Sequence, residues 1–532
     1  MPALTADAVV IGAGPNGLVA ANALADAGWD VVLVEANDDV GGAVRSSEVI
    51  EPRFVTDLFS AFYPLAAASP IIRDLDLAGH GLTWVRAPAV VAHAFDDGRT
   101  ALVHSDEDQT AANVESFGAG DGAAWLEMFA GWERVRDPLL DALFTPFPPV
   151  LAGVGLLRRL GVRGGLDLAR LAALPVRELG RERFAGTGAR ALLTGNAMHS
   201  DVTPDGAGSA LFGWLLTMLG QEVGFPVPRG GAGQLAKALH ARAQAAGVRT
   251  VLGQAVTRIH VIGGRATAVT CADSTTIRAR RAILADVLAP TLYRELVAPG
   301  HLPTRLLADL DRFECGPATL KVNWTLDGPI PWANPDAAGA GTVHLGVDVD
   351  GFVDWAADQT LGRMPDRPFV LLGQMAVADP SRAPAGAETV WAYTHVPRAL
   401  AHDDAAIAAQ VDRIEDAVER VAPGFRALQR GRLVQSPADL EAANANLVSG
   451  SINAGTAAIH QQLVFRPTPG LGRPETPIER LYLAGASAHP GGGVHGACGW
   501  NAARVALHAD GRTGAVQRAL VRSAWARLLP RG

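Results

Sequence analysis

The chain contains 532 residues, with 46 basic and 54 acidic side chains that give a formal net charge of −8 at pH 7. This acidic balance, without any long basic run, argues against nucleic acid as a partner. The length exceeds that of a single core of ordinary size, so two interwoven domains are expected.

The cysteine and histidine patterns exclude several classes of site. Cys271, Cys315 and Cys498 lie far apart and form no CxxC motif, so neither a disulfide scaffold nor a dithiol redox centre is predicted. We therefore expect a reducing, cytoplasmic location. The first predicted strand begins within eight residues of the amino terminus and no apolar run has transmembrane length, so neither a signal peptide nor a membrane span is expected. The histidines lack the spacing of metal ligands, and no metal site is predicted.

The first predicted element is a buried parallel strand followed at once by a glycine turn. Residues Ala8–Ile11 are apolar and largely β-branched, which is typical of such a strand. Gly12 permits a tight turn, Gly14 lets the backbone approach a pyrophosphate, and Gly17 lets the next helix pack closely on the strand. This spacing indicates a dinucleotide-binding turn.

A helix and a second strand complete this unit. The helix is predicted over about Pro15–Ala27, where its free N–H groups would point at phosphates. Gly28 suits the end of the helix. The second strand, Val31–Val34, ends in Glu35, whose carboxylate can accept both hydroxyls of a ribose. Strand, glycines, helix, strand and acid in this order predict a site for an ADP-containing cofactor.

The first long insertion contains a basic amphipathic stretch at Phe144–Leu174. Such a stretch fits a helix pair lying in a membrane interface. It also fits helices of a substrate domain whose arginines are solvated, and we favour this second interpretation slightly. The stretch Val516–Leu529 around Trp525 raises the same alternative. The arginines concerned are Arg158, Arg159, Arg163 and Arg170 in the first stretch and Arg518, Arg522 and Arg527 in the second.

Two further glycine clusters follow. The first, with Gly233 as its last glycine, precedes a predicted amphipathic helix and two predicted strands, Val248–Val256 and Ala268–Cys271. The second follows the predicted strand Leu481–Ala486, reads HPGGGVHGACG and opens a predicted helix at Asn501–Ala509. Glycines that open a helix present backbone donors to an anionic or electron-rich group. The pyrimidine edge of a flavin, which gains negative charge on reduction, fits that description.

Together these blocks resemble the phytoene desaturase-related FAD oxidoreductases, a group that also includes carotenoid isomerases, carotenoid ketolases and retinol saturase-like proteins. The matching segments read GAGPNGLVAA, GGAGQL and HPGGGVHGACGWNAA, and the chain is most similar to the phytoene dehydrogenase-like branch. Gly41 and Gly42, which a plain NAD domain does not need, match a glycine pair that passes close to the cofactor in this group. The resemblance therefore implies FAD as the cofactor.

The resemblance also implies which residues bind that cofactor. Ala43 stands where many relatives carry Arg, and Arg45 follows two residues later. Val256 belongs to a segment whose backbone touches the adenine side in the family. The full set of implied positions is Gly12, Gly14, Pro15, Asn16, Gly17, Glu35, Ala36, Gly41, Gly42, Ala43, Arg45, Val256, Gly485, Gly492, Gly493 and Val494.

The predicted fold class is α/β, with a Rossmann-like FAD-binding domain of the glutathione-reductase type interleaved with an α+β substrate domain. The FAD-binding domain is assigned residues 1–75, 225–290 and 470–515, and the substrate domain residues 76–224 and 291–469. Residues 516–532 are assigned to a basic amphipathic helix. Only one nucleotide fingerprint is present, so electrons taken up by the flavin are expected to leave to oxygen, a quinone or another protein.

Three side chains are candidates for a catalytic role. Alternation around Lys321 predicts a strand, and the segment loosely resembles the strand on which flavin amine oxidases carry a lysine that holds a water against flavin N5. Lys321 could equally face solvent. His489 precedes the last glycine turn and can approach the flavin or fix the loop. His199 lies in the insertion expected to cover the pocket, where a surface or loop-capping role is the commoner alternative.

The function that the resemblance implies is FAD-dependent desaturation, the abstraction of a hydride from a hydrophobic, isoprenoid- or carotenoid-like substrate. Two alternatives are retained. One is oxidation of an amine, for which Lys321 is the supporting feature. The other is a non-catalytic, flavin-bound partner or chaperone protein. The sequence predicts no particular oligomeric state.

Overall fold

The structure, a computed structural model, describes residues 4–511 together with residues 514, 519, 521, 523 and 525. The basic amphipathic helix predicted for residues 516–532, with Arg518, Arg522 and Arg527, therefore lies outside the described residues except at isolated positions. One of these is Trp525, whose Nε1 donates to the main-chain oxygen of Gly470 at 3.3 Å.

The described part of the chain forms eighteen strands and sixteen α-helices. The strands are β1 (Leu4–Ile11), β2 (Val31–Val34), β3 (Ser46–Ser47), β4 (Thr56–Asp57), β5 (Trp84–Val85), β6 (Ala89–Ala94), β7 (Thr100–His104), β8 (Val227–Pro228), β9 (Arg249–Val251), β10 (Val256–Ile262), β11 (Arg265–Cys271), β12 (Thr276–Ala285), β13 (Ala318–Leu326), β14 (Ala340–Leu345), β15 (Val370–Gln374), β16 (Glu388–Val396), β17 (Gln429–Gln435) and β18 (Leu481–Leu483). The helices are α1 (Pro15–Asp26), α2 (Pro64–Ala68), α3 (Pro70–Asp74), α4 (Glu107–Glu115), α5 (Asp121–Phe144), α6 (Val150–Ala173), α7 (Val176–Arg183), α8 (Thr187–Ala197), α9 (Ser209–Val223), α10 (Gly233–Ala245), α11 (Thr304–Leu310), α12 (Gly351–Thr360), α13 (Met375–Ala378), α14 (Asp404–Val421), α15 (Pro437–Ala443) and α16 (Ala497–Asp510).

The first sheet has the strand order β10-β11-β12-β1-β2-β9, and β18 pairs with the end of β12. The pairs β12–β1, β1–β2, β2–β9 and β12–β18 are parallel, whereas β10 and β11 add an antiparallel edge. Helices α1, α10 and α16 cover one face, where Leu18, Leu235 and Ala502 pack against Val10 and Leu33. Its strands come from three separate stretches of the chain, as the interleaved assignment expects. The domain boundaries themselves stay predictions.

The second sheet has the order β17-β13-β16-β15-β14-β6-β7 and is antiparallel except for the pair β14–β6. One face packs on α14, where Ile414 and Val418 meet Val322 and Trp324. The other face, which carries Trp391, packs against helices α5, α7, α8 and α9. The second sheet is therefore enclosed between α14 on one side and the helices of the long insertion on the other.

Most of the predicted elements are confirmed, and the exceptions have local causes. β2 has the predicted bounds, and α1 ends at Asp26, one residue before the predicted end. The single strand predicted over 248–256 is wrong, because a turn at Gly253 (φ +66°) separates β9 from β10. Helix α16 begins at Ala497 and not at Asn501, since Gly496 takes a left-handed conformation at the N-cap.

The basic stretch Phe144–Leu174 forms the end of α5 and the whole of α6. Gly161, at φ +66°, divides α6 into two helical parts, as the predicted helix pair requires. No residue of α6 is buried: Leu160 and Leu171 contact the neighbouring core only partly, whereas Leu151 is 89% exposed. In the described part of the chain, no helix combines the length and the hydropathy needed to cross a membrane.

Candidate active site

The tight turn after β1 can form only because its key positions are glycines. Gly12 has a φ of +91°, and a Cβ atom on Gly17 would lie 2.0 Å from the main-chain oxygen of Gly12. Gly42 packs on the same turn, since a Cβ there would lie 3.1 Å from the Cα of Gly14. The turn and the glycine pair thus form one backbone-lined cradle that a pyrophosphate can approach closely.

The amino termini of two helices meet at this cradle. Pro15 is the first residue of α1, and a Cβ atom on Gly499 in α16 would lie 1.8 Å from the main-chain oxygen of Asn16. Both helices therefore direct free N–H groups and the positive ends of their dipoles toward the same region. An ADP-containing cofactor is the kind of anionic group that such a region binds.

Glu35 lies at the carboxyl end of β2, where the sequence places the ribose-binding acid. Its Oε2 accepts the N–H of Ala13 at 2.7 Å and its Oε1 accepts the N–H of Asn37 at 2.9 Å, so the carboxylate is fixed in position. Ala36 follows it at the exposed edge. Val256 is half-buried at the start of β10, directly after the turn that bonds to the Glu35 backbone.

Arg45 shapes the loop after the glycine pair. Its Nε donates to the main-chain oxygen of Gly42 at 3.0 Å, its Nη2 donates to that of Ala443 at 2.8 Å, and its guanidinium lies 5.1 Å from the ring centre of Phe59. The main-chain oxygen of Ala43 accepts a hydrogen bond from Ser60. Arg45 thus binds main chain in this structure, and burial lowers its pKa.

The last glycine cluster forms a second loop, beside the turn that contains Gly485. Gly491 and Gly493 have φ values of +112° and +127°, and Val494 is left-handed at +53°. Gly492 packs against Asn453. The loop ends where Nδ1 of His495 accepts the N–H of Ala497 at 3.0 Å, directly at the start of α16.

His489 is buried beside this loop, with an exposed fraction of 5%. Neither of its ring nitrogens has a hydrogen-bond partner, and the ring lies edge-on to Phe147 with 6.1 Å between ring centres. Burial, reinforced by the charge of Arg466, lowers the pKa of His489 to about 4. A neutral imidazole with two unpartnered nitrogens next to the loop keeps both proposed roles open, contact with the flavin and support of the loop.

Arg466 was not predicted as a site residue. It is 1% exposed and donates to the main-chain oxygens of Thr456, Asn453, Ala454 and Ala486 at 2.8 to 3.2 Å. It therefore ties the segment around 453–456 to the turn after β18. No sequence signal could have revealed this residue, because it lies in a loop without periodicity and all its partners are main-chain atoms.

Lys321 lies in the middle of β13 and is 3% exposed, so the solvent-facing interpretation is wrong. Its Nζ donates to the main-chain oxygens of Asp57 and, at 2.8 Å, of Phe59, and lies 5.6 Å from the ring centre of Trp391. Burial lowers the pKa of Lys321 to about 7, although the nearby carboxylate of Asp57 opposes the shift. The side chain can therefore hold or release a proton near neutral pH.

A buried ionic network adjoins Lys321. Arg382, with an exposed fraction of 0%, pairs with Asp57 at 2.8 Å and with Asp379 at 3.0 Å. Asp57 also accepts hydrogen bonds from Ser46 and from the main-chain N–H of Ala232. Because α10 begins at the next residue, this network joins the first sheet's helix layer to the second sheet.

The structure does not bring His199 next to Lys321. Its Nε2 lies 2.9 Å from Nε2 of His344 on β14, and burial lowers the pKa of His199 to about 3. Strand β14 is three strands from β13, which separates His344 from Lys321 by about 14 Å at the usual strand spacing. His199 is thus part of a neutral imidazole pair over the second sheet.

Asp286 is a second residue that the sequence analysis missed. It directly follows β12, and its Oδ2 accepts the N–H of Gly17 at 2.8 Å. Its position at the carboxyl end of a parallel strand next to β1 was the available signal. Within the described residues no three His, Cys, Asp or Glu side chains lie close enough together to hold a metal ion.

Comparisons with known proteins agree with this geometry. The sequence model of the flavin containing amine oxidoreductase family matches residues 16–507. The chain is 29% identical to pyridine nucleotide-disulfide oxidoreductase domain-containing protein 2 of Rattus norvegicus, covering 94% of this chain and 93% of that protein. It is 27% identical to the zeta-carotene-forming phytoene desaturase of Myxococcus xanthus, covering 91% and 90%.

Among solved structures, a putrescine oxidase bound to putrescine has a TM-score of 0.62 at 15% identity, with 95% of this chain and 99% of that chain covered. This likeness confirms the predicted α/β fold class, in which a Rossmann-like cofactor domain is combined with a substrate domain. The family match runs from Asn16 in α1 to Leu507 in α16, so it includes the second sheet, the last glycine loop and every strand of the first sheet except β1. The chain therefore belongs to the flavin containing amine oxidoreductase family.

Proposed function

We propose that this flavin oxidoreductase uses FAD to abstract a hydride from a hydrophobic substrate and so introduces a double bond. The observation that carries the proposal is the aromatic wall beside Lys321. Trp391 stacks on Tyr393 with 6.0 Å between ring centres, and Phe62 lies 5.9 Å from Trp391 and 6.5 Å from Phe225. These rings pack together beside Lys321, and an aromatic environment of this kind favours an apolar substrate. The 27% identity to a phytoene desaturase supports the same class.

The residues present fit FAD. The cradle around Gly12, Gly14 and Gly17 would hold the pyrophosphate, Glu35 the ribose, and the start of α16 the pyrimidine edge. A Cβ atom at Gly17 or Gly499 would fill the space that these backbones need. When bound, FAD supplies a hydride acceptor, and the protein supplies orientation and electrostatics.

Lys321 supplies the titratable group in this arrangement. Its Nζ, fixed by two main-chain oxygens, holds a positive charge or releases a proton near neutral pH. We assign it the role of stabilising reduced flavin and of passing a proton during reoxidation. Oxygen or a quinone is the proposed electron acceptor, because the sequence contains one nucleotide fingerprint and so offers no second module for NAD(P)H.

Amine oxidation is the second candidate, and the position of Lys321 on β13 is the observation that favours it. The hydrogen bonding of Asp57, the carboxylate next to Lys321, argues against amine oxidation. Arg382, Ser46 and the Ala232 N–H already bind this carboxylate, so it is not available to bind a substrate ammonium group.

Contact with a membrane surface is part of the proposal. Helix α6 carries exposed arginines together with exposed apolar side chains, a combination that suits an anionic lipid interface. The apolar residues are Val150, Leu151, Val154, Leu157, Val162 and Leu166. A hydrophobic substrate could then reach the protein without crossing water.

An anaerobic titration tests the proposed reaction. The purified protein with bound flavin would be mixed with polyenes, isoprenoid lipids and amines while the visible absorption of the flavin is recorded. Bleaching by a polyene or isoprenoid is the expected result and would identify the donor class. Bleaching by amines alone would replace desaturation by amine oxidation. Flavin that no donor reduces would favour a non-catalytic, flavin-bound partner protein, and a colourless protein that takes up no FAD would contradict the proposal altogether.

A further inference from the structure

Asp286 places a carboxyl group where the two glycine loops meet. The main-chain N–H of Asp286 donates to the main-chain oxygen of Ile11 at 2.7 Å, which continues the parallel pairing of β12 with β1. The Oδ2 atom of Asp286 accepts the N–H of Gly17 at 2.8 Å. The carboxyl group therefore lies inside the turn that follows β1, at the third residue of α1.

The carboxyl group is tightly enclosed. A Cβ atom on Gly14 would lie 2.9 Å from Oδ2, and a Cβ atom on Gly485 would lie 3.1 Å from Oδ1. The whole residue is 9% exposed. The side chain thus touches the glycine turn on one side and the turn after β18 on the other, and it can be displaced from neither without moving both.

No positive side chain compensates this carboxyl group. Within the described part of the chain Asp286 forms no ion pair with Lys, Arg or His. The titratable groups that face it are Glu35 at the end of β2 and Cys498 in α16, whose thiol is neutral because burial raises its pKa to about 12. The glycine turn and the turn at Gly485 add none. Burial raises the pKa of Asp286 to about 7; the hydrogen bond from the Gly17 N–H opposes this shift, and the charge of Glu35 adds to it.

We propose that Asp286 must carry its proton for FAD to bind tightly, so that cofactor affinity is coupled to the protonation of this one carboxyl group. The physical reason is charge: the pyrophosphate brings two negative charges to the turn that Asp286 already occupies, and in a site of low dielectric a third one repels them. The inference rests on the proposed function, because it requires that FAD binds at this turn.

An ionised Asp286 would instead act only as an acceptor for the start of α1. In that case FAD binding would not depend on the titration of Asp286, because the charge of this carboxyl group would be the same with and without FAD. The two possibilities therefore differ in a measurable quantity, the dissociation constant of FAD as a function of pH.

The experiment measures FAD binding to the protein after removal of its flavin, by quenching of flavin fluorescence from pH 6 to pH 9 at constant ionic strength. The pyrophosphate diester stays ionised over this range. Binding raises the pKa of the carboxyl group, so the dissociation constant should be constant below about pH 7 and rise by about tenfold per pH unit above it. A profile that is flat across pH 7 to 9 would overturn the inference.

The variant Asp286→Asn separates this coupling from a structural role. The amide keeps the acceptor for Gly17 and resembles the neutral acid, so its dissociation constant should be independent of pH and close to the wild-type value at pH 6. As a matched control, Asp309→Asn changes another buried aspartate, which pairs with Arg305 and Arg312 in α11 and its flank, and should keep the wild-type slope. A slope that persists in Asp286→Asn would contradict the inference. Folded protein that binds no FAD at any pH would instead contradict the proposed function.

Discussion

The ammonium group of Lys321 is held between the main-chain oxygens of Asp57 and Phe59 and the ring of Trp391. We expect Lys321→Met to slow reoxidation of reduced flavin by oxygen, on the order of a hundredfold, because the variant lacks the group that supplies charge and a proton. Stopped-flow mixing of the reduced protein with oxygen measures this rate. Lys237→Met, which changes the only other lysine of the chain at an exposed position of α10, is the control. An unchanged rate in Lys321→Met would remove the proposed role.

The same residue should make stability depend on pH in a defined direction. The pKa of Lys321 is lowered from its usual value to about 7 in the folded protein, so between pH 7 and pH 10 the unfolded chain binds the extra proton. Stability contributed through this group therefore rises with pH across that window, by about 1.4 kcal/mol per pH unit. Denaturant unfolding of wild type and Lys321→Met is measured at pH 7, 8 and 9. The free energy of unfolding of wild type minus that of the variant should increase with pH. A constant difference would mean that the pKa of Lys321 is not lowered.

At the scale of elements, the glycine turn before α1 should tolerate no side chain. In Gly17→Ala the new Cβ atom would lie 2.0 Å from the oxygen of Gly12, so the turn must open and its N–H groups lose their convergence. We expect loss of bound FAD with retention of the second sheet, measured by flavin absorbance and circular dichroism. Gly153→Ala, in α6 where a Cβ meets no atom within 4 Å, is the matched control and should keep the flavin. Retention of flavin in Gly17→Ala would contradict the assignment of the cradle.

Helix α6 should bind anionic lipid through its exposed apolar side chains. Leu151 and Val162 are 89% and 83% exposed, so Leu151→Gln with Val162→Gln should leave the fold intact and weaken binding. Flotation with liposomes that contain anionic lipid measures the bound fraction. Leu361→Gln, at an exposed leucine after α12, is the control and should float like wild type. Wild-type protein that stays entirely out of the lipid fraction would exclude the membrane contact.

How much of the site could be predicted depended on how local each contact is. The glycine turn, α1 and Glu35 lie within one continuous segment, and spacing alone was sufficient to predict them. Asp286 has one local signal, its position after a strand, but its contact with Gly17 spans 269 positions of sequence. Arg466 binds only main-chain oxygens from a loop, so its contacts leave no local pattern. The sequence correctly marked Lys321 as unusual in a strand, but only the packing of the second sheet shows that it is buried.

At the scale of the whole molecule, the network around Arg382 joins the two halves. Replacing Arg382 by Met would leave the buried carboxylates of Asp57 and Asp379 without their cation. We expect the free energy of unfolding to fall by about 3–5 kcal/mol. Arg430→Met, which breaks pairs with Glu51 and Asp327 at the surface, should leave the unfolding midpoint close to that of wild type. Equal effects of the two changes would show that the buried network does not stabilise the junction.

The strand order of the first sheet also determines when the protein can acquire its cofactor during synthesis. The ribosome delivers β1, β2 and Glu35 first, but β18 and α16 follow only after the complete second sheet has been made. Until then the nascent chain offers a half-built cradle with the edge of β12 unpaired. We therefore expect cofactor uptake to be a late event of biogenesis, and until β18 is made the end of β12 is an exposed edge at which wrong strand pairing can occur.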